Sequence, residues 1–347
     1  MKVSFPFVFF AALLLVACGG DGTPPPAPGA TGTASQVITI GGTSTPNTPG
    51  SAMWLQFKSD AEAASQGRLE LKPLIYGQLG SEEQLLSGLR RGRIQFANLS
   101  AQATSTLAPE LSLLYTPYLF RDEAEADYVY DRYLTDIYRE LLADVGLHLV
   151  TWYEIGFHSV YGREQILTPE QAKGRRFRVS ASLNARLFAK AIGADMIPLG
   201  YGEIVPSLQT GLIDAGENSI SLYARTGISA EAPYLTLTRH VFGMSVIVAD
   251  LKWWQAQDDA TRQILTDTFP SITESRAATR AQDETDLGDP ELGIRWQALT
   301  PEQRDQWEQA TSGVAEQLLE DIGGRSREIY AIILKGKAEY AAQKDGA

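Results

Sequence analysis

The chain has 347 residues, of which 44% are hydrophobic and 21% are charged, which is enough apolar material for two domains that each have a core. The formal net charge of -12 argues strongly against a nucleic-acid partner, because binding a polyanion requires a basic surface that displaces counterions.

The first 17 residues have the features of a signal peptide. Lys2 precedes an apolar run at residues 5–16, which is too short to span a bilayer stably. Residues 15–18 (LVAC) resemble a bacterial lipobox, so we expect cleavage before Cys18 and acylation of its thiol. A stray cysteine in an ordinary signal peptide is the alternative. Cys18 is the only cysteine, so an exported chain has no internal disulfide. Residues 18–35 are rich in Gly and Pro and predict a lipidated flexible tether.

Strand and helix patterns alternate from residue 36 onward. Alternation of this kind predicts α/β sheets with right-handed crossovers. The predicted strands are 36–40, 69–74, 94–97, 148–152, 176–180 and 241–249; the predicted helices are 51–65, 81–91, 123–145, 184–192, and two long tracts at 251–285 and 300–340.

The residue inventory contains little that would support catalysis. The three histidines, His148, His158 and His240, show no metal-ligand spacing, so neither a metal nor another cofactor is predicted. The sequence has no nucleophile elbow, phosphate-binding loop or dinucleotide fingerprint. Paired acids such as Glu82 and Glu83 are interpreted as a solvated helix face.

Several segments in a fixed order carry a family resemblance. They are GQLG at 77–80, TWYEIGFHS at 151–159, LTPE at 167–170, KGRRFRV at 173–179, LQTG at 208–211 and DAGEN at 214–218. Together they resemble the solute receptors of tripartite ATP-independent periplasmic (TRAP) transporters, the DctP-like family, over residues 36–340. The resemblance implies that the protein is a periplasmic receptor and not an enzyme. Such a receptor closes on a small organic anion and delivers it to the small and large membrane permease subunits.

The same resemblance implies the periplasmic binding protein fold, in which two α/β lobes enclose a cleft. We expect residues 36–155 and 244–290 to form lobe I, and 156–243 and 291–347 to form lobe II. A long helix at 251–285 is expected to brace both lobes. The lipid anchor would hold the protein to one of the membranes of the bacterial envelope.

Arg178 matches the family's arginine that binds the ligand carboxylate. A guanidinium suits this role because it is planar, permanently charged and able to donate two parallel hydrogen bonds. From the residues alone, Arg178 could equally be a surface ion-pair residue like Arg176 on the same strand face. The resemblance also implies that Asn218 bonds the same carboxylate and that Tyr201 packs on the ligand.

Four further residues complete the predicted ligand site. Ser100 matches a ligand-facing position of the first lobe, and Ser44 lies in a loop expected to present hydroxyl groups. Trp152 is proposed as part of an aromatic wall, with strand core as its alternative. His158 stands where many members carry a second arginine, so we expect one ligand carboxylate combined with neutral groups. A packed, hydrogen-bonded histidine is the alternative there.

Other functions stay open at this point. A receptor for an ABC importer would use the same fold, and neighbouring genes would distinguish it, since TRAP systems bring two membrane proteins and no ATPase. A periplasmic hydrolase or lyase would need a nucleophile beside a base. An envelope-assembly lipoprotein would have no ligand pocket.

Overall fold

A computed structural model of the protein describes residues 35–346. The predicted signal peptide, Cys18 and the tether up to residue 34 lie outside the described residues. The nine strands, β1 to β9 in chain order, are Gln36–Gly41, Leu69–Leu74, Phe96–Ser100, Leu147–Gly162, Arg176–Val179, Asp195–Pro198, Ala215–Ser219, Tyr234–Asp250 and Arg295–Ala298.

The strands form a mixed sheet in the order β2-β1-β3-β8-β4-β7-β5-β6, with β9 paired to β8. The antiparallel strands β4 and β8, of 16 and 17 residues, run through both ends of this sheet. Residues 245–249 of β8 pair with β3, whereas residues 158–162 of β4 pair with β7. Each set of short strands therefore attaches to a different end of the same two long strands, which gives a two-lobed fold.

The helices cover the faces of the sheet. In chain order α1 to α16 are Pro49–Ala64, Glu82–Arg90, Ala101–Thr104, Glu123–Val129, Thr135–Asp144, Pro169–Ala172, Leu183–Ala191, Ile204–Gln209, Ile220–Arg225, Ile228–Glu231, Leu251–Gln255, Asp259–Asp267, Ile272–Gly288, Pro301–Thr311, Val314–Ile322 and Ser326–Asp345. Short 3-10 segments lie at Pro109–Tyr115, Tyr201–Glu203 and Pro290–Leu292, and a π segment at Tyr130–Leu134.

The expected long helix at 251–285 is wrong in its extent, because the tract is three helices. Asp258 and Ser271 accept hydrogen bonds from backbone N–H groups at the starts of α12 and α13. Each therefore caps a new helix in place of continuing the previous one. The tract at 300–340 is likewise divided into α14, α15 and α16.

Helix α13 makes the bracing contacts through charged side chains. Near its start Arg276 donates to Asp131 at 2.7 and 2.9 Å. Near its end Asp286, which is fully buried, accepts from Arg225 of α9 at 2.5 and 2.9 Å. Cations near a helix start and anions near its end oppose the helix dipole. These charges therefore stabilise contacts with other elements, although their order along α13 destabilises the isolated helix.

Asp283 on α13 is expected to make stability fall as pH rises. Burial, together with the charges of Asp286 and Glu154, raises its pKa from 3.8 to about 7, against hydrogen bonds from Ser221. A raised native-state pKa contributes stability that is complete below about pH 4 and lost as pH rises through about 7. Asp283→Asn should therefore flatten the fall of the unfolding free energy between pH 5 and 8, measured by urea denaturation.

The control for this titration is Glu284→Gln, which removes an exposed carboxylate from the neighbouring position of α13. It should keep the slope of the parent protein. Equal slopes for the parent and Asp283→Asn would contradict the role given to Asp283.

The C-terminal helices correct the assignment of all of 291–347 to lobe II. Trp307 of α14 packs with Phe188 of α7 in that lobe, as expected. However, Ile329 and Ile333 of α16 belong to the same apolar core as Tyr130. Lys337 of α16 also lies 3.7 Å from a carboxylate oxygen of Glu125 in α4. The last helix therefore packs against residues assigned to lobe I, which chain order alone did not reveal.

The long strands change register where they pass between the lobes. The pairing of β4 with β8 shifts between Glu154 and Gly156, and Gly156 has a φ of 95°. Glycine suits this left-handed conformation, and a Cβ there would lie 2.8 Å from an Asp283 oxygen. A backbone kink is thus built into the strand beside the cleft.

Within residues 35–346, no helix combines the length and the apolar character needed to cross a membrane.

Candidate functional site

A cavity of about 670 Å³ lies between the two sets of short strands. Its walls are largely loops and helix starts that follow the carboxyl ends of strands, where open α/β sheets bind ligands. Lobe I contributes the segments 43–45, 48–50, 80–83 and 98–103, and the second wall comes from 178–182, 198–202 and 217–222, with the crossing strand β4 at the base. The volume suits a small molecule.

Arg178 stands on β5 at the wall of this cavity and is only 7% exposed. Its Nε and Nη2 donate to the backbone oxygen of Leu199 at 3.2 and 3.0 Å, which fixes the plane of the guanidinium. Among the residues that the structure describes, no carboxylate lies within ion-pair distance of it. A buried cation without an anion favours a negatively charged ligand, because an isolated buried charge is costly.

Asn218 and Tyr201 lie beside Arg178 on the same wall. The Asn218 Oδ1 accepts from the backbone of Ser219 at 3.0 Å, while its Nδ2 has no hydrogen-bond partner within 35–346. Burial raises the pKa of Tyr201, which keeps its hydroxyl neutral. Arg178 and Asn218 therefore present donors to the same space, which matches the acceptor oxygens of a carboxylate.

His158 and Glu217 form a buried pair on the neighbouring strands β4 and β7. The His158 Nδ1 contacts a Glu217 carboxylate oxygen. Although burial raises the pKa of Glu217, the His158 contact and the charges of His240 and Arg178 lower it to about 2. Both side chains line the cavity. A Cβ on Gly243 would lie 2.6 Å from the His158 Nε2, so a glycine there makes room for the imidazole ring.

Glu217 had no predicted role, although it belongs to the DAGEN segment that carried the resemblance. The neighbouring residue Asn218 was predicted as a ligand contact only from the family resemblance. Glu217 and His158 are 59 positions apart in the chain, so only the pairing of β4 with β7 brings them together.

Ser100 faces the cavity from lobe I and is held by Glu82. Its backbone N–H donates to one Glu82 oxygen and its Oγ donates to the other at 2.9 Å. The interpretation of Glu82 as part of a solvated helix face is therefore wrong, whereas Glu83 beside it is exposed. The helix periodicity could not show that α2 starts at the rim of a cavity.

Ser44 lines the cavity as expected, but Trp152 does not fit its predicted place. The Trp152 side chain is 2% exposed and packs edge-on against Tyr130 in the core, where its Nε1 donates to Thr135 at 3.1 Å. Successive side chains of a strand point to opposite faces. Its neighbour Tyr153 accordingly lines the cavity, so the structure corrects Trp152 to the core alternative.

The cavity wall presents one guanidinium and several neutral hydrogen-bonding groups to a ligand. Over residues 35–346, no cluster of three or more His, Cys, Asp or Glu side chains has a geometry for a metal ion. The arrangement suits reversible binding of a small anion, with the second lobe supplying the cation. Fold and site together define a two-lobed solute-binding protein.

The comparison with protein families agrees with this class. Residues 40–321 match the DctP model, bacterial extracellular solute-binding protein, family 7, and the chain belongs to that family.

Named relatives fall in the same group. The ectoine-binding periplasmic protein TeaA of Halomonas elongata is 28% identical over 55% of this chain and 57% of TeaA. The 2,3-diketo-L-gulonate-binding periplasmic protein YiaO of Escherichia coli is 30% identical over 56% of this chain and 59% of YiaO. The chain thus matches less than two thirds of the length of either relative. The ectoine/5-hydroxyectoine-binding protein UehA of Ruegeria pomeroyi is 26% identical over 83% of this chain and 85% of UehA.

Solved structures show the same two-lobed fold. The sugar acid binding protein DctPAm of Advenella mimigardefordensis, in complex with galactonate, has a TM-score of 0.81 and 25% identity, covering 87% of this chain and 99% of that one. The ectoine-binding protein of the Halomonas elongata TeaABC TRAP transporter has a TM-score of 0.82 and 22% identity, covering 88% and 100%.

Proposed function

We propose that the protein is the extracytoplasmic solute receptor of a TRAP transporter and that it binds a small organic anion through Arg178. The observation that carries this proposal is the buried guanidinium at the cavity wall, held by Leu199 and without a carboxylate partner in the described part of the chain. The family membership and the organic-acid ligands named for its structural relatives support the same function.

Closure of the cleft is the proposed signal to the membrane partner. Arg178, Asn218 and Tyr201 stand on one wall and Ser100 and Ser44 on the other, so a ligand contacts the full set only when both walls meet it. The register shift and positive φ at Gly156 support a hinge between residues 155 and 156 and, on the paired strand, near 243 and 244. His158, which lines the cavity, remains a proposed ligand contact.

We further propose a periplasmic location, attachment to the membrane through acylated Cys18, and delivery to the small and large TRAP permease subunits. The periplasmic location and the transporter class are supported by relatives that are periplasmic binding proteins and by one that belongs to a TRAP transporter. Two permease genes and no ATPase gene beside this one would support the TRAP system, and an ATPase gene would favour an ABC importer.

The binding function is tested by thermal shift with galactonate, glucuronate, succinate and ectoine. A true ligand at about 1,000 times its Kd should add about 4 kcal/mol of apparent stability, because it binds only the folded state. The shift should grow with ligand concentration, and the recovered ligand should be chemically unchanged. No stabilisation by any small carboxylate would contradict the proposal, and turnover would favour the hydrolase or lyase.

A further inference from the structure

The charge of the cavity wall restricts its ligand more than the buried arginine alone does. Arg178 is the only Lys or Arg side chain that lines the cavity in residues 35–346. Four glutamates line it as well: Glu82, Glu83, Glu154 and Glu217. A ligand with two carboxylates would find one cation and would meet several anions.

Three of these glutamates have a charged or histidine partner or are solvated by water. Glu154 accepts from the Arg280 guanidinium at 3.0 and 2.6 Å, so its charge is balanced from α13. Glu217 is paired with His158. Glu83 is exposed, where water solvates its charge.

Glu82 is different, because its carboxylate has only neutral partners. The Ser100 backbone N–H and Oγ each donate to one of its oxygens, and within the described residues no cation lies within ion-pair distance. Burial raises the pKa of Glu82, whereas the Ser100 bonds and the more distant charge of Arg178 lower it. A carboxylate oxygen accepts more than one hydrogen bond, so both oxygens keep capacity for a ligand donor.

The two walls therefore differ in hydrogen-bonding character. Arg178 and the unpartnered Asn218 Nδ2 offer donors on one side. Glu82 and the unpartnered Asn98 Oδ1 offer acceptors on the other. A ligand that satisfies both walls has an acceptor end and a donor end.

We infer that the cavity selects a molecule with one carboxylate, bound by Arg178, and with hydroxyl or cationic donors at its other end, bound by Glu82. This inference rests on the proposed function and names its substrate class. Dicarboxylates are rejected, because a second ligand carboxylate would face Glu82 across a cleft that water leaves on closure.

The test is isothermal titration of the parent protein with three probes: galactonate, a polyhydroxy monocarboxylate; ectoine, a zwitterion; and succinate, a dicarboxylate. Galactonate or ectoine should bind at least about tenfold more tightly than succinate. Glu82→Gln should weaken the preferred ligand about ten- to a hundredfold, because a charged acceptor becomes neutral, and should reduce the preference over succinate. If the donor end of the ligand is cationic, we expect the larger loss of affinity in Glu82→Gln. The size of the loss therefore distinguishes ectoine-like from sugar-acid-like ligands.

Two variants separate recognition from folding. Glu284→Gln removes the same charge from an exposed position outside the cavity lining and should bind like the parent. Ser100→Ala removes the hydroxyl that holds Glu82 but leaves its charge, so the preference over succinate should persist. Tight succinate binding that Arg178→Ala abolishes would overturn this inference and leave the proposed function standing. Unchanged affinity in Glu82→Gln would also overturn it, and no binding by any probe would overturn both.

Discussion

Replacement of Arg178 by alanine should weaken binding of the carboxylate ligand by about 30- to 3,000-fold. Truncating one partner of a buried, hydrogen-bonded charge pair costs about 2 to 5 kcal/mol, and each 1.4 kcal/mol is a factor of about ten. Much of this cost arises because the ligand carboxylate is left desolvated without its cation. The measurement is isothermal titration with the ligand identified by thermal shift.

Arg178→Lys should recover only part of this affinity. Lysine restores the charge, but its ammonium cannot donate two parallel hydrogen bonds to one carboxylate while it also holds the Leu199 oxygen.

Arg176→Ala is the matched control on the same strand. Arg176 is exposed and pairs with Asp214 at 3.0 Å, away from the cavity lining, so its loss should leave the affinity unchanged. Undiminished binding in Arg178→Ala, with normal unfolding in urea, would remove the guanidinium from the ligand site.

Replacement of Arg225 by alanine should cost about 3 to 5 kcal/mol of unfolding free energy, because it leaves a buried charge without its partner. That charge is Asp286, which is 0% exposed and accepts from Arg225 in a forked arrangement at 2.5 to 3.1 Å. Gln282 donates a further bond at 2.8 Å, but a neutral amide does not replace the cation. Urea denaturation followed by circular dichroism measures the loss.

The matched control is Arg327→Ala, which breaks an exposed pair with Glu316 on the protein surface. Exposed ion pairs are screened by water and salt, so we expect no measurable change. Equal unfolding free energies for Arg225→Ala and the parent would show that α13 does not hold α9 through Asp286.

The lengths of the elements show where local sequence patterns stop being informative. The pattern at 148–152 predicted a short strand, but β4 runs over Leu147–Gly162. Its second half is almost entirely buried, so the alternation that identifies a half-exposed strand is lost there. The helix at 123–145 is similarly interrupted by a π segment at Tyr130–Leu134 that periodicity did not predict.

The sequence by itself predicted the α/β class, because strand and helix periodicities are local properties of the chain. Its ordered motifs carried the family resemblance, and that resemblance implied the two-lobed fold and the role of Arg178. The predicted start of the C-terminal tract at residue 300 agrees with the structure, in which the Thr300 side chain caps α14. Only the tertiary structure decided that Glu217 meets His158, that Glu82 faces the cavity, that Trp152 turns into the core, and that α16 packs on Tyr130. Each of these depends on residues far apart in the chain, and their charges and apolar surfaces are matched only when the sheet brings them together.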